Sequence, residues 1–143
     1  MGINIRTKGQ IGEREVCKIL VEHGLVNEAS RNLDQVREGG GDVEALTHFS
    51  IEVKRHQNLA IKGWWDQSCA SAARMGKIPC VWWRPNSKKW LVMVPKGTMG
   101  DWRLSPVNQC GAVIQKNYPH LDFVHYLDFV AWYKAKYVTE VAV

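Results

Sequence analysis

The sequence predicts a single-domain α/β (α+β) fold in which helices flank a central mixed β-sheet. The chain has 143 residues, a length that suits one compact domain, so we take residues 1–143 as one unit. Hydrophobic residues make up 45% of it, which is enough to build a core. Helical and strand patterns alternate in the order helix, strands, helix, strands, helix. That order places a sheet between layers of helices.

The first half of the chain contains one predicted helix and two predicted strands. The helix is expected over 11–23, because Val16, Ile19, Leu20 and His23 fall on one stripe and Gly24 can cap its end. A short strand could lie within 25–33, followed by a polar, glycine-rich loop. Two strands are expected at 42–46 and 50–55, joined by a tight connection.

The second half contains a helix, a strand pair and a closing helix. The helix is expected over 60–75 and should end at Gly76. Strands at 79–83 and 90–94 are separated by a polar linker that contains a proline. Residues 97–120 look irregular, with a short strand at 112–115. The last predictions are a helix over 122–138 and a buried Phe123 on it.

Charge and composition narrow the function classes. The formal net charge is +5, which favours a polyanionic partner such as DNA. The four cysteines form no Cys-x-x-Cys pair and no zinc spacing with histidine, so a zinc module or a disulfide framework is not indicated. No apolar run could span a bilayer, and no signal-peptide core is present. We expect a cytoplasmic protein with no membrane partner; if a virus encodes it, the cytoplasm is that of the host.

One pattern points to chemistry, the pair of runs Gly41-Asp42-Val43-Glu44 and Ile51-Glu52-Val53-Lys54. Alternate residues of a strand share a face, so Glu52 and Lys54 should point one way and Ile51 and Val53 the other. Carboxylates suit Mg²⁺, with Mn²⁺ as the alternative cation, and a lysine beside them could orient water or stabilise a phosphoryl transition state. A metal-dependent nuclease is therefore the first hypothesis. The same acids and lysine could instead form charge pairs on a solvated sheet face.

The pattern also predicts a strand register. If Asp42 lies opposite Glu52 in an antiparallel pair, the residue numbers of opposite partners sum to 94. A regular register one residue away would put the two acids on opposite faces. We expect Glu15 to be a solvated surface acid. Glu44 shares the face of Asp42 and could be an outer-shell acid of the site, although we expect an ordinary exposed acid.

Two further segments give the chain a family resemblance. Lys8-Gly9 leads into Glu13-Arg14 on the first helix, and Gln67 follows Trp64-Trp65-Asp66 on the second. With Gly41-Asp42 and Glu52-Val53-Lys54, the chain resembles the PD-(D/E)XK nuclease superfamily, and within it most resembles the archaeal-type Holliday junction resolvases. Gly41 stands where that motif usually has proline. The resemblance covers roughly the first half to two thirds of the chain and implies a restriction-endonuclease-like core.

The resemblance also implies an activity and an assembly. The activity would be that of a Mg²⁺-dependent endodeoxyribonuclease resolving four-way DNA junctions in recombination and repair. The enzyme would act as a homodimer on branched or duplex DNA, because paired cuts need two sites related by a twofold axis. The catalytic residues would be Glu13, Asp42, Glu52, Lys54 and Gln67, with Glu13, Asp42 and Glu52 as metal ligands. DNA would be contacted by Lys8, Arg14, Arg37 and Arg55.

Three other interpretations stay open, the third being a structural or interaction protein in which the motif arises by chance and DNA affinity is negligible at moderate salt. The chain could be a PD-(D/E)XK nuclease with another DNA substrate, such as a restriction-like, nicking or exonucleolytic enzyme. It could also be a DNA-binding module that kept the fold and lost catalysis. The complete set of Glu13, Asp42, Glu52 and Lys54 argues against the second.

Overall fold

The structure, a computed structural model, describes residues 5–32, 41–55, 60–84, 89–105 and 116–138, without the side chains of residues 5–8. The elements, numbered in chain order, are α1 (Ile5–Glu22), β1 (Phe49–Lys54), α2 (Ile61–Met75), β2 (Ile78–Trp83), β3 (Leu91–Pro95), β4 (Leu121–His125) and α3 (Tyr126–Tyr137). In these described ranges, no helix is both long enough and apolar enough to cross a membrane.

The sheet is mixed, as predicted. Its strand order is β1-β2-β3-β4; β1 and β2 run parallel, and the other two neighbouring pairs are antiparallel. A parallel pair needs a crossover connection, which α2 provides between β1 and β2. The α+β architecture with helices flanking a central mixed sheet is therefore confirmed.

The sheet buries both of its faces. On one face, α1 and α3 pack against side chains such as Ile51, Trp82 and Val92, and all three are fully buried. On the other face, α2 brings Trp64 against a smaller cluster that includes Met93. Each fully buried large apolar side chain contributes about 1.5–3 kcal/mol of transfer free energy. The two clusters therefore hold the sheet rigid between its helices.

The alternation along β1 puts its polar residues on the α2 face. Ile51 and Val53 enter the cluster under α1 and α3. Glu52 lies beside Val81 and Lys54 beside Trp83 in the parallel ladder, and both of these β2 residues belong to the α2 cluster. The prediction that Glu52 and Lys54 share one face of β1, and Ile51 and Val53 the other, is confirmed.

The predicted register beside β1 is also confirmed. Val43 forms an antiparallel bridge with Ile51, and its amide donates to the Ile51 carbonyl over 3.2 Å. Opposite residue numbers therefore sum to 94, which puts Asp42 opposite Glu52. The prediction of a regular strand over 42–46 is wrong, because Val43 alone forms the bridge. Side-chain hydrogen bonds from Glu44 hold this segment in place of a ladder.

Other differences have local causes. Helix α1 begins at Ile5, six residues before the predicted start, although two glycines lower its helix propensity. Gly12 is buried against Val53 and Trp90, so packing overrides propensity. Within 25–32, Arg31 forms one bridge, to Val43, in place of the predicted strand. The second helix was correct to within one residue, and its cap, Gly76, has the left-handed φ of 64°.

The end of the chain differs most from its prediction. Residues 121–125 form β4 and not the start of a helix, and Phe123 is buried opposite Met93 in the ladder. Helix α3 begins directly after the strand, where the His125 ring accepts from the Leu127 amide over 3.3 Å. No turn residue separates the two elements, so the sequence pattern merged them. The strand predicted at 112–115 lies outside the described residues.

Gly41 offers a test of the contact between the Asp42 segment and β1. A Cβ at this position would lie 2.4 Å from the Ile51 carbonyl oxygen and 2.8 Å from its nitrogen. Gly41→Ala should therefore lower the free energy of unfolding by about 1–3 kcal/mol, since the backbone must move. Chemical denaturation measures this loss. Gly63→Ala is the control, because a Cβ there meets nothing within 4 Å and alanine favours a helix by about 0.5–1 kcal/mol. Equal stability for the two variants would contradict the close approach.

Candidate active site

Asp42 and Glu52 form the centre of the candidate site. Asp42 lies in the segment beside the edge of β1, and its Oδ2 accepts from the Val53 amide over 2.8 Å. Glu52 lies on β1 and is fully buried. Neither of its carboxylate oxygens has a hydrogen-bond partner among the described residues. A buried carboxylate without partners is costly, so this group requires either a proton or a cation.

The surroundings of Glu52 favour its protonated form in the metal-free protein. Burial, followed by the neighbouring Asp42 carboxylate, raises the pKa of Glu52 to about 8. The charge of the Lys54 ammonium offsets part of this rise. A proton held at this position is what a divalent cation would replace.

Lys54 and Gln67 meet across the gap between β1 and α2. The Lys54 Nζ donates to the Gln67 Oε1 over 2.8 Å. Lys54 is partly exposed and Gln67 is exposed, so the ammonium group lies at the mouth of the site. The amide holds the lysine on the same face as Glu52, where it could reach a reacting phosphate or water.

Glu13 borders the pair of acids but has a partner of its own. Its Oε2 accepts from the Arg31 Nε over 2.6 Å, and both side chains are mostly buried. Burial raises the pKa of Glu13, the Arg31 hydrogen bond opposes this rise, and nearby Asp42 adds to it. Among the described residues, no three acids, histidines or cysteines converge as a ready-made metal cluster. Asp42 and Glu52 therefore form a two-carboxylate arrangement with Glu13 at its border.

The predicted DNA contacts fall in different places. Arg14 is exposed on α1. Arg55 is mostly buried and pairs with Glu15 over 3.6 Å. Lys8 lies on α1, but its side chain is outside the description, and Arg37 lies outside the described residues altogether. The role of these four residues in DNA binding stays a prediction.

Three cations near the site, Arg31, Lys77 and Arg84, were not expected from the sequence, and the expectations for two acids were wrong. Glu15, expected to be solvated, pairs with Arg55 and with Arg84, the latter over 2.6 Å. Glu44, expected to be exposed, retains only 18% of its side-chain exposure and pairs with Lys77. Arg31 was not identified as the partner of Glu13. No sequence motif identifies Arg31, Lys77 or Arg84 as an ion-pair partner. The nearest sequence signal is that Lys77 and Arg84 directly flank the two ends of β2.

The fold and the site together define a class of protein. An acid beside the sheet edge, a Glu-x-Lys on the first strand and a helix over that face form the arrangement of PD-(D/E)XK nucleases. A family model described as "Phage putative PDDEXK endonuclease" matches residues 4–117. The chain belongs to that family. Searches of curated proteins and of solved structures gave no match.

Glu52 makes stability depend on pH in a testable direction. Its pKa of about 8 in the folded protein exceeds the ordinary 4.5, so the folded state binds more protons between these values. Stability should therefore fall as pH rises from about 4.5 to 8. With chelator present, Glu52→Gln should remove this contribution and raise the melting temperature at pH 8 by several degrees relative to wild type, with little gain at pH 4.5.

Glu22→Gln is the control for that measurement, because the Glu22 side chain is 59% exposed on α1. Its melting temperatures should follow those of the wild type at both pH values. A Glu52→Gln protein no more stable than wild type at pH 8 would contradict the buried, partnerless carboxylate.

Proposed function

We propose that this protein is a divalent-metal-dependent DNA endonuclease and that Asp42 and Glu52 hold the cation. The observation that carries the proposal is the Glu52 carboxylate, fully buried beside Asp42 with neither oxygen bonded among the described residues. Mg²⁺ in phosphate-processing sites commonly takes one or two carboxylates and completes its shell with water and substrate oxygens. The donor set fits this cation, and Mn²⁺ has similar preferences.

Each remaining site residue has a role consistent with its contacts. A cation bound there would neutralise charge on the phosphate and lower the pKa of a bound water. Lys54, held by Gln67, is placed to orient the attacking water or to stabilise the negative charge that develops on the phosphate. Glu13 is held by Arg31, which favours contact with the cation through water over direct ligation.

The substrate that we propose is branched DNA, in particular the four-way junction. The support is the motif resemblance to junction resolvases, which covers Glu13-Arg14, Asp42, Glu52-Val53-Lys54 and Gln67. The net charge of +5 suits a polyanion. A homodimer would supply two sites for paired cuts. Membership of the endonuclease family is equally compatible with a duplex-cutting or nicking enzyme, which is the alternative.

Asp42→Asn separates chemistry from binding. A neutral amide is a poorer ligand for a hard cation, so cleavage should fall by about 100-fold or more, since each 1.4 kcal/mol lost from the transition state is tenfold. DNA binding should persist or strengthen, because a negative charge near phosphates is removed. Gel-based cleavage with Mg²⁺ and binding in chelator measure the two effects. Asp101→Asn, an exposed change after the far end of β3, should leave both unchanged. Loss of binding together with cleavage in a folded Asp42→Asn protein would make Asp42 structural.

The substrate is tested by incubating the protein and Mg²⁺ with a fixed four-way junction and with linear duplex of equal length. We expect faster cleavage of the junction, and tighter junction binding that persists as salt rises, because counterion release weakens both complexes while shape favours one. Light scattering should give the mass of a dimer. A monomer that cuts duplex as fast as junction would favour the duplex-cutting alternative, and no cleavage of any DNA would overturn the nuclease itself.

A further inference from the structure

The segment that carries Asp42 is held by isolated bonds, among them the Asn32 amide, which donates to the Asp42 carbonyl over 2.8 Å, and a bridge from Val43 to Arg31. Of its residues, Val43 alone bridges β1, and no regular ladder fixes the position of Asp42. Two charged side chains, Glu44 from this segment and Lys77 from the start of the β2 region, join beside it. We call this pair the Glu44–Lys77 clamp.

The clamp is a largely buried ion pair. The Lys77 Nζ lies 2.5 Å from the Glu44 Oε2, and the two side chains retain only 16% and 18% of their exposure. The same Nζ donates to the Leu46 carbonyl over 3.0 Å. Lys77 therefore contacts the segment at two points, the Glu44 side chain and the Leu46 backbone carbonyl. A pair this little exposed is only weakly screened by salt, and removing one partner leaves the other uncompensated.

The second oxygen of Glu44 binds the backbone next to Asp42. Its Oε1 accepts from the Gly41 amide over 2.5 Å and from the Ser50 hydroxyl over 3.3 Å. Gly41 immediately precedes Asp42, and Val43, which immediately follows it, is bridged to β1. The backbone on both sides of Asp42 is thus held, at Val43 by β1, and at Gly41 by Glu44 on the amide and by the Asn32 side chain, which donates to the carbonyl over 3.0 Å.

The base of the clamp is itself rigid. Lys77 directly follows the Gly76 cap of α2, and its amide donates to the Ala72 carbonyl over 2.9 Å. The next amide, that of Ile78, donates to the His48 carbonyl over 2.8 Å. Lys77 therefore lies in the fixed backbone that joins α2 to the sheet. The same helix, α2, carries Gln67.

We propose that Glu44 and Lys77 are positioning residues for Asp42. They fix the Gly41 amide, so that the Asp42 carboxylate stays on the Val53 amide and beside Glu52. They act on the backbone and do not touch the cation or the DNA. This inference rests on the proposed role of Asp42 as a metal ligand. The hydrogen bond between the Val53 amide and Asp42 exists in the metal-free protein, so the effect of Glu44 and Lys77 on it can be measured without metal.

The first test needs no activity. The Val53 amide donates to the Asp42 Oδ2, so its hydrogen exchange reports on the position of that carboxylate. In chelator, Glu44→Gln and Lys77→Met should each speed exchange at Val53 about tenfold, as expected when one supporting hydrogen bond is weakened. The Val124 amide, on β4 at the far side of the sheet, should keep the wild-type rate. NMR of the labelled protein measures both amides.

Matched controls come from the exposed pair on α1. Lys18 and Glu22 are 74% and 59% exposed, so Lys18→Met and Glu22→Gln repeat the charge changes without the burial. They should leave exchange at Val53 unchanged, and Lys77→Arg, which keeps the charge, should recover much of the wild-type protection. Unchanged exchange at Val53 in Glu44→Gln and Lys77→Met would overturn the proposal. Equal acceleration at Val53 and Val124 would also overturn it, since the clamp would then serve only global stability.

The second test concerns the metal. Glu44→Gln and Lys77→Met should raise the Mg²⁺ concentration for half-maximal DNA cleavage about tenfold and leave the rate at saturating Mg²⁺ near that of wild type, because the ligands remain. Unchanged Mg²⁺ dependence with active wild-type protein would overturn the link to metal binding. If the wild type cuts no DNA, the proposed function fails, and the exchange measurement still decides whether the clamp positions Asp42.

Discussion

The contact between the Gly41–Val43 backbone and the edge of β1 determines where Asp42 lies relative to Glu52. The Val43–Ile51 bridge sets the register, and the register puts Asp42 opposite Glu52. Gly41 allows this approach because any Cβ would enter the Ile51 backbone. Proline, usual at this point of the motif, would bring a Cβ as well, so glycine is the residue that this geometry requires. A shift of one residue would move Asp42 to the other face.

The sequence was sufficient where function depends on local periodicity. Alternation along β1 predicted that Glu52 and Lys54 share a face, and one motif spacing predicted the register of Asp42. The sequence was insufficient to predict ion pairs between residues that are distant in the chain. Arg31 is 18 residues from Glu13, Lys77 is 33 from Glu44 and Arg84 is 69 from Glu15. Ion pairs of this kind follow from the packing of elements and have no periodic signature. Strand β4 was missed for another reason, since it passes into α3 without a turn residue.

The site combines a rigid scaffold with an unfavourable carboxylate. One apolar cluster holds β1 on the face under α1 and α3, and the other packs β2, β3 and β4 against α2. Helix α2 also supplies the crossover to β2 and the amide that holds Lys54. Within this frame, Glu52 is buried without a described partner, an arrangement that weakens the metal-free fold. A buried group that lowers the stability of the fold is characteristic of a functional position, where a bound ligand supplies the missing interaction.

The parallel pairing of β1 with β2 has a consequence for the order in which the chain assembles. Glu52 and Val81 are neighbours in the ladder but are separated in sequence by the whole of α2. Closing that loop must precede the pairing, and non-local pairings of this kind form slowly. During synthesis, a nascent chain that ends before Lys77 has all the residues of the acidic motif and lacks their support. The acids of the candidate site can therefore reach their final positions only after α2 and β2 have been added to the chain.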